Sequence, residues 1–231
     1  DMEDDVINRF SKYTVKTCVI ENLALEVDHF PKVAETLSLK QVFKKDRISI
    51  SYVGTFGYVN NMQYLVDFAK LVREGNFPID IYLVGDGAEY KKIYNECLTS
   101  KLINTVIHFI PKLDKRSALE FMKNSKFCIS TVLPYDCLYK NSANKFFDSI
   151  SMGTPILVNY SGWQEKIIME NDIGFQLSER PCIEDLAKIC RTAENDETYQ
   201  NMCQKANKVA MERYSLDIAL FKLEAIIQKI S

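Results

Sequence analysis

From Arg47 onward, short apolar runs alternate with segments whose apolar residues recur at helical spacing, and the changeovers fall on glycine, proline, aspartate or asparagine. Ile48, Ile50, Tyr52 and Val53 make a strand that stops at Gly54-Thr55-Phe56-Gly57. Asn60 and Asn61 are placed to cap a helix with Leu65, Phe68, Ala69 and Val72 on one face. The pattern then repeats. Residues 79–84 read as a strand, Gly85-Asp86-Gly87 as a turn and 88–98 as a helix. A strand over 106–110 ends at Pro111-Lys112, and Asp114 is placed to cap a helix running through Phe121 and Met122. Strands at 127–132 and 156–158 follow, then a short helix over 164–169 and a last short strand at 173–175. Helices are expected over 183–193, 198–213 and 216–230. Such alternation calls for an α/β fold: a Rossmann-like open parallel sheet of about six strands with helices on both faces. Ligands of open α/β sheets bind beyond the carboxyl ends of the strands. The breaks at 54–57, 85–87, 111–112, 134–144 and 161–162 are therefore expected to share one rim.

The stretch 141–155, NSANKFFDSISMGTP, carries the most chemistry on that rim. Asn141, Ser142 and Asn144 precede Lys145, and polar residues at a helix start leave backbone N–H groups able to bind an anion. Lys145 adds a full positive charge. Asp148, about one turn on, can accept hydrogen bonds from hydroxyls. Phosphate beside hydroxyl suits a nucleoside diphosphate, although an ordinary capped amphipathic helix would read the same. The glycines at 54–57 allow close backbone approach to a ligand. They form neither G-x-G-x-x-G nor a Walker loop, so alone they read first as a tight turn.

Composition removes several function classes. The chain has 231 residues, 47% hydrophobic and 26% charged, so it can bury a substantial core. A net charge of -2 gives no general pull toward nucleic acid or anionic membrane. No apolar run approaches the roughly 20 residues that span a bilayer. The acidic opening DMEDD does not read as a signal peptide, and Asp1 ahead of Met2 reads as the start of a fragment. Seven scattered cysteines without Cys-x-x-Cys fit a reducing, cytoplasmic setting. With only His29 and His108 present, neither a histidine-rich metal site nor a Ser-His-Asp triad is expected. His108 reads as a packed or rim residue.

The rim segments, in their order, resemble the C-terminal, nucleotide-sugar-binding domain of a GT-B glycosyltransferase, closest to the retaining group known as family four. The segments are YVGTFG ending at Gly57, IYLVGDG ending at Gly87, VIHFIP ending at Pro111, SANKFFDSISMGTPILV from Ser142, SGWQE from Ser161, DIGF from Asp172 and ERYS from Glu212. VIEN from Val19, with Asp28 and Phe30 after it, is similar to the hinge where that family's chain enters this domain. The likeness divides the chain into a hinge linker and edge at 1–47, a nucleotide-sugar-binding domain at 48–215 and a C-terminal helix at 216–231. That helix would pack on the domain or cross toward an N-terminal domain not contained here. The sequence at 17–23 also reads as a short strand, and 40–45 as connector.

The resemblance implies a donor site made by Gly54, Thr55, Gly57, Gly85, Pro111, Lys112, Ser142, Asn144, Lys145 and Asp148. Asp148 matches the second acid of the family's Glu-x7-Glu pattern, which holds the ribose hydroxyls. The main chain at 142–145 would face the diphosphate, Gly54 and Thr55 would line the cleft near phosphate and sugar, and Pro111-Lys112 would hold the base, with a lean toward uridine. Two departures stand out. The first acid of the pattern falls on Lys140 by strict count, so Asp136 is its nearest substitute. The family's Arg and Lys pair after the first strand is replaced by Gly57-Tyr58-Val59-Asn60-Asn61. Lys145 is therefore assigned the leaving-group charge, as in a similar subgroup acting in bacterial surface-polysaccharide (capsule) assembly, and Lys145 and Asp136 are the expected catalytic residues.

The function so implied is retaining transfer of a hexose-type sugar, without metal or cofactor, from a nucleoside diphosphate sugar, UDP-sugar for preference, to a glycan or lipid-linked acceptor. The acceptor would be met through the N-terminal domain or a partner subunit, with this chain alone inactive. Peripheral contact with the inner face of the membrane is left open. The alternatives are a sugar-nucleotide 2-epimerase on the same scaffold and a non-catalytic nucleotide-sugar-binding or scaffolding domain, which the missing first acid and missing basic pair keep in play.

Overall fold

The computed structural model describes residues 7–13, 18–31 and 42–230. Its strands are β1 (Ile48–Val53), β2 (Ile79–Val84), β3 (Ile107–Ile110), β4 (Phe127–Ser130), β5 (Ile156–Val158) and β6 (Gly174–Gln176). The main helices are α1 (Met62–Glu74), α2 (Tyr90–Thr99), α3 (Lys115–Asn124), α4 (Asp136–Tyr139), α5 (Asn144–Ser151), α6 (Trp163–Glu170), α7 (Ile183–Glu194), α8 (Asp196–Tyr214) and α9 (Leu216–Ile230). The strands form one six-stranded sheet in the order β3-β2-β1-β4-β5-β6, with every pair parallel. The chain winds outward from β1 to β3, then returns to the far side of β1 to begin β4. Connections therefore leave β1 and β4 in opposite directions, and a crevice opens between their carboxyl ends.

Both faces are covered, which is why a strand such as β2 is buried along its whole length. Ile50, Tyr52, Ile81, Leu83, Phe127, Ile129 and Leu157 face one layer with Leu65, Phe68 and Ile93. Cys128, Ile156 and Val158 face the other, with Phe146, Phe147 and Ile150 of α5 and Ala206, Val209 and Ala210 of α8. Each fully buried phenylalanine here contributes about 1.5–3 kcal/mol relative to exposure.

Asp80, the second residue of β2, is buried and pairs with Arg47 at 2.6 Å, Lys44 at 3.2 Å and His108 at 3.4 Å. Burial works against its charge, but the neighbouring His108, Arg47 and Lys44 hold the carboxyl down at about 2. His108 stacks on Tyr82 with ring centroids 4.8 Å apart. This cluster ties 42–47 across the amino ends of the strands, away from the crevice.

Three expectations change here. The described part of the expected 17–23 strand, from Cys18, contains no strand. It is a segment without regular structure, tied down by Ala24 N donating to Tyr214 O at 2.8 Å and, farther on, by Arg116 donating to Val27 O and Phe30 O. Thr17, the 40–41 part of the expected connector and the acidic start lie outside the described residues. Asn61 does precede α1, but its backbone is left-handed, at φ 45°, and its side chain makes no cap. It donates instead to Val132 O at 3.2 Å, and Asn60 donates to Thr55 O at 2.7 Å. Asp114, by contrast, caps α3 by accepting from Ser117 N at 3.0 Å. Helix α9 packs on α8, with Lys222 paired to Glu21 at 2.8 Å, and leaves Phe221 70% exposed. No helix among the described residues is long and apolar enough to cross a membrane.

Candidate functional site

The crevice at the β1–β4 switch opens into a cavity of about 840 Å³, within the range that holds a nucleotide-sized ligand. Its floor is the interlock of two turns. Gly54 N donates to Val84 O at 2.9 Å and Phe56 N to Asp86 O at 2.9 Å. Glu89 N then donates to Phe56 O at 2.9 Å. Tyr52 Oη and Asn60 Nδ2 both donate to Thr55 O, at 2.6 and 2.7 Å, which folds the 54–60 loop back over β1. The β4 side is fixed by Thr131 Oγ1 donating to Asn60 O at 2.6 Å and by Val132 N donating to Asn159 Oδ1 at 2.9 Å.

Helix α5 forms the facing wall. Phe146, Phe147 and Ile150 are buried against the sheet, which turns Lys145 and Asp148 together toward the cavity, one turn apart. The segment before it is pinned from behind. Trp163 Nε1 donates to Asn141 O at 3.2 Å, Gln164 Nε2 to Ala143 O at 3.3 Å, and Asn22 Nδ2 to Ser142 O at 3.2 Å. Ala143 is the N-cap and offers no side-chain acceptor, so the expected capping by Asn or Ser is not seen. The side chain of Asn144 instead accepts from Asn22 Nδ2 at 2.7 Å. Ser142 Oγ is buried in this wall without a hydrogen-bond partner among the described residues. A buried hydroxyl of that kind calls for a partner.

Lys145 lies over the floor. Its Nζ is 4.6 Å from the centroid of the Tyr52 ring, and a Cβ added to Gly54 would stand 2.9 Å from its Cε. Burial lowers the Lys145 ammonium to about 8, against the opposing pull of Asp148. Asp148 is pushed the other way: burial raises its carboxyl, while Lys115 and then Lys145 draw it down. Lys115 Nζ lies 2.5 Å from Asp148 Oδ1. The lining thus offers the cations Lys112, Lys115 and Lys145 and the acids Asp86 and Asp148. Such a surface takes an anion at one end and hydroxyl groups at the other.

Of the residues expected from sequence, Gly54, Thr55, Gly85, Lys112, Ser142, Asn144, Lys145 and Asp148 all line this cavity. Gly57, Pro111 and Asp136 do not. Gly57 lies farther along the folded-back loop and Pro111 is exposed one residue before the lining begins. Asp136 opens the four-residue α4 and is exposed there, off the cavity wall. Asn60, Asp86, Thr131 and Lys115 line the cavity without having been singled out as site residues. Asp86 sits within the 85–87 rim break, and Lys115 lies three residues beyond the one at 111–112. The partnership of Lys115 with Asp148 bridges two helices and leaves no local signal.

Residues 34–210 match the family described as glycosyl transferases group 1. No curated protein matches the chain. Among solved structures, an S. aureus TarM variant in complex with fondaparinux, alpha-GlcNAc-glycerol and UDP superposes with a TM-score of 0.71 at 17% identity, over 96% of this chain and 42% of that one. Sucrose-phosphate synthase from Thermosynechococcus elongatus gives 0.70 at 14% identity, over 99% and 56%. Anabaena HepE in complex with UDP gives 0.60 at 14% identity, over 80% and 49%. The chain thus spans about half the length of these proteins, and identities this low speak to the fold alone.

Proposed function

The chain belongs to the glycosyl transferases group 1, and from that premise we propose that its cavity is a donor site for a nucleoside diphosphate sugar, with uridine the preferred base. The observation that carries this reading is the sharing of one cavity by Lys145, Asp148 and the Ser142 hydroxyl, which has no hydrogen-bond partner among the described residues. In this reading the diphosphate rests against the start of α5, where backbone N–H groups point outward and Ser142 Oγ finds its partner. Lys145 neutralises the same phosphates, and Asp148 accepts from the ribose hydroxyls. UDP in the TarM and HepE complexes, proteins of the same fold, supports the choice of base.

The chemistry follows from charge. Breaking the bond at the anomeric carbon puts negative charge on the departing diphosphate and positive charge on the sugar. A fixed ammonium at the phosphate stabilises that separation without having to reorganise. Transfer with retention of configuration, to a glycan or lipid-linked acceptor in surface-polysaccharide assembly, is the reaction proposed for the whole enzyme. An N-terminal domain or partner subunit would supply the acceptor side, and the setting would be the cytoplasm, at or near the inner membrane face. The acid that would contact the donor sugar has no assigned residue, because Asp136 stands off the cavity.

Thermal melting with a panel of nucleoside diphosphates tests the reading. UDP is expected to stabilise most, by about 2.7 kcal/mol at a hundredfold excess over Kd. Absence of any shift with every member of the panel removes the donor-site reading. The Asp148→Asn variant adds residue-level resolution. It is expected to bind UDP about tenfold more weakly, the loss of a charged hydrogen bond, while its affinity for 2′,3′-dideoxy-UDP stays within about twofold of wild type.

A further inference from the structure

Lys115 is the first residue of α3, at the helix end where aligned peptide dipoles favour negative charge, and no acid occupies that turn beyond the N-cap Asp114, whose carboxylate accepts from Ser117 N. A lysine there needs an external partner, and among the described residues its ion-pair partner is Asp148, with Oδ1 at 2.5 Å. Among the described residues, the hydrogen bond to the Asp148 carboxylate is the one that Lys115 Nζ donates to Oδ1. Asp148 lines the cavity, and its side chain is only 17% exposed. Resting on the donor-site reading above, we propose that Lys115 is a positioning residue: it grips Asp148 Oδ1 from the neighbouring helix and so keeps the carboxylate ionised, with Oδ2 available to the ribose hydroxyls.

The surroundings of Asp148 give the reason a second lysine is needed. Burial alone favours the neutral carboxyl. The groups facing it are Lys115 from α3, Lys145 from α5 itself, and Cys128 from β4, whose thiol is pushed by burial to about 11 and so carries no charge at neutral pH. Lys115 opposes burial through both its charge and its hydrogen bond, ahead of Lys145. Lys145 is committed to the diphosphate, its Nζ standing 4.6 Å from the centroid of the Tyr52 ring. Without Lys115, the carboxyl would hold its proton to a higher pH. A neutral carboxyl accepts the ribose hydroxyls less strongly than a carboxylate does.

Calorimetric affinities for UDP and 2′,3′-dideoxy-UDP, taken on the full chain between pH 5.5 and 7.5, test the assignment. Wild type is expected to prefer UDP by about tenfold or more, a charged hydrogen bond's worth, with little change across that range. In Lys115→Met the preference is expected to fall to about threefold or less at pH 5.5 and to recover in part by pH 7.5, because the ionisation of Asp148 has moved up. Lys115→Arg restores charge and hydrogen bond and is expected to follow wild type. A Lys115→Met protein with wild-type preference and a flat profile would make the lysine a helix clamp only and overturn this inference, leaving the donor site intact. Wild type binding neither nucleotide would instead remove the donor site and this inference with it. The preference is a ratio within one protein, so any loss of stability in the variant cancels from it.

Discussion

Lys145→Ala is expected to weaken UDP binding by about a hundredfold while uridine affinity stays within about twofold, because a charged hydrogen bond in a desolvated wall reaches ~3 kcal/mol and only the diphosphate makes it. Calorimetry with both ligands separates the two outcomes. Equal affinities for UDP in wild type and variant would take the lysine out of the mechanism. The same residue gives a pH dependence. Its ammonium is lowered by burial to about 8, so wild-type affinity for UDP is expected to fall as pH rises through 8. Binding in that range should take up protons, since the diphosphate draws the ammonium back into its charged form. Stability moves the other way. Between about 8 and the ordinary lysine value of 10.5 the unfolded chain binds more protons than the folded one, so this group makes wild type more stable as pH rises through that window. Below it the folded protein carries the full burden of a desolvated cation. Unliganded Lys145→Ala is therefore expected to melt no lower than wild type at neutral pH. The combination of lost binding and kept stability is what a functional charge predicts and what a structural lysine does not.

Gly85→Ala is expected to be the most damaging single methyl group in the molecule's functional half. Gly85 has φ +137°, which side-chain-bearing residues rarely adopt, and its added Cβ would stand 2.0 Å from the carbonyl oxygen of Gly54. The obstacle is backbone, so no rotamer relieves it. The turns after β1 and β2 must separate, and with them go the bonds from Gly54 N to Val84 O and from Gly85 N to Ile110 O. Strain and lost bonds together are expected to cost about 3 kcal/mol or more. For a chain of this size that is a melting temperature lower by roughly 6–12 °C. UDP binding should fall too, because Gly54 is the floor beneath Lys145. Gly54→Ala makes the control. Its Cβ would meet the far end of a flexible side chain, Lys145 Cε at 2.9 Å, although its φ of +149° still strains the backbone. It is expected to cost less stability than Gly85→Ala relative to the binding it loses. Gly85→Ala melting with wild type would show that the interlock is not needed.

The strands and helices were legible because their signals are local. The burial of β2 on both faces appears as the apolar run from Ile81 to Val84, and Asp114 caps α3 as its type and position require. The helix carrying Lys145 and Asp148 was legible for the same reason, since residues three apart must share a face. Errors arose where a residue had a distant option. Asn60 and Asn61 look like caps, but their amides are used to fasten loops, one to Thr55 and one to Val132. The apolar stretch from Cys18 looks like a strand, but Ala24 pairs with Tyr214, at the end of a helix, instead of with a sheet edge. Asp136 was the nearest acid in sequence to a motif position, and distance along the chain did not put it on the cavity wall.

By itself the sequence determined the α/β class, the rim on which a ligand would sit, and the pairing of one cation and one acid on a single helix face. These follow from periodicity and chain chirality, which act over a few residues at a time. The tertiary structure alone decided that Lys115 reaches Asp148, that Ser142 Oγ is enclosed without a partner among the described residues, and that Gly54 and Gly85 are wedged together beneath Lys145. Those facts depend on which turns meet at the β1–β4 switch and on how much water is left between them. Desolvation, which moves both Lys145 and Asp148 from their ordinary ionisation, exists only once several separate segments have closed around the same space.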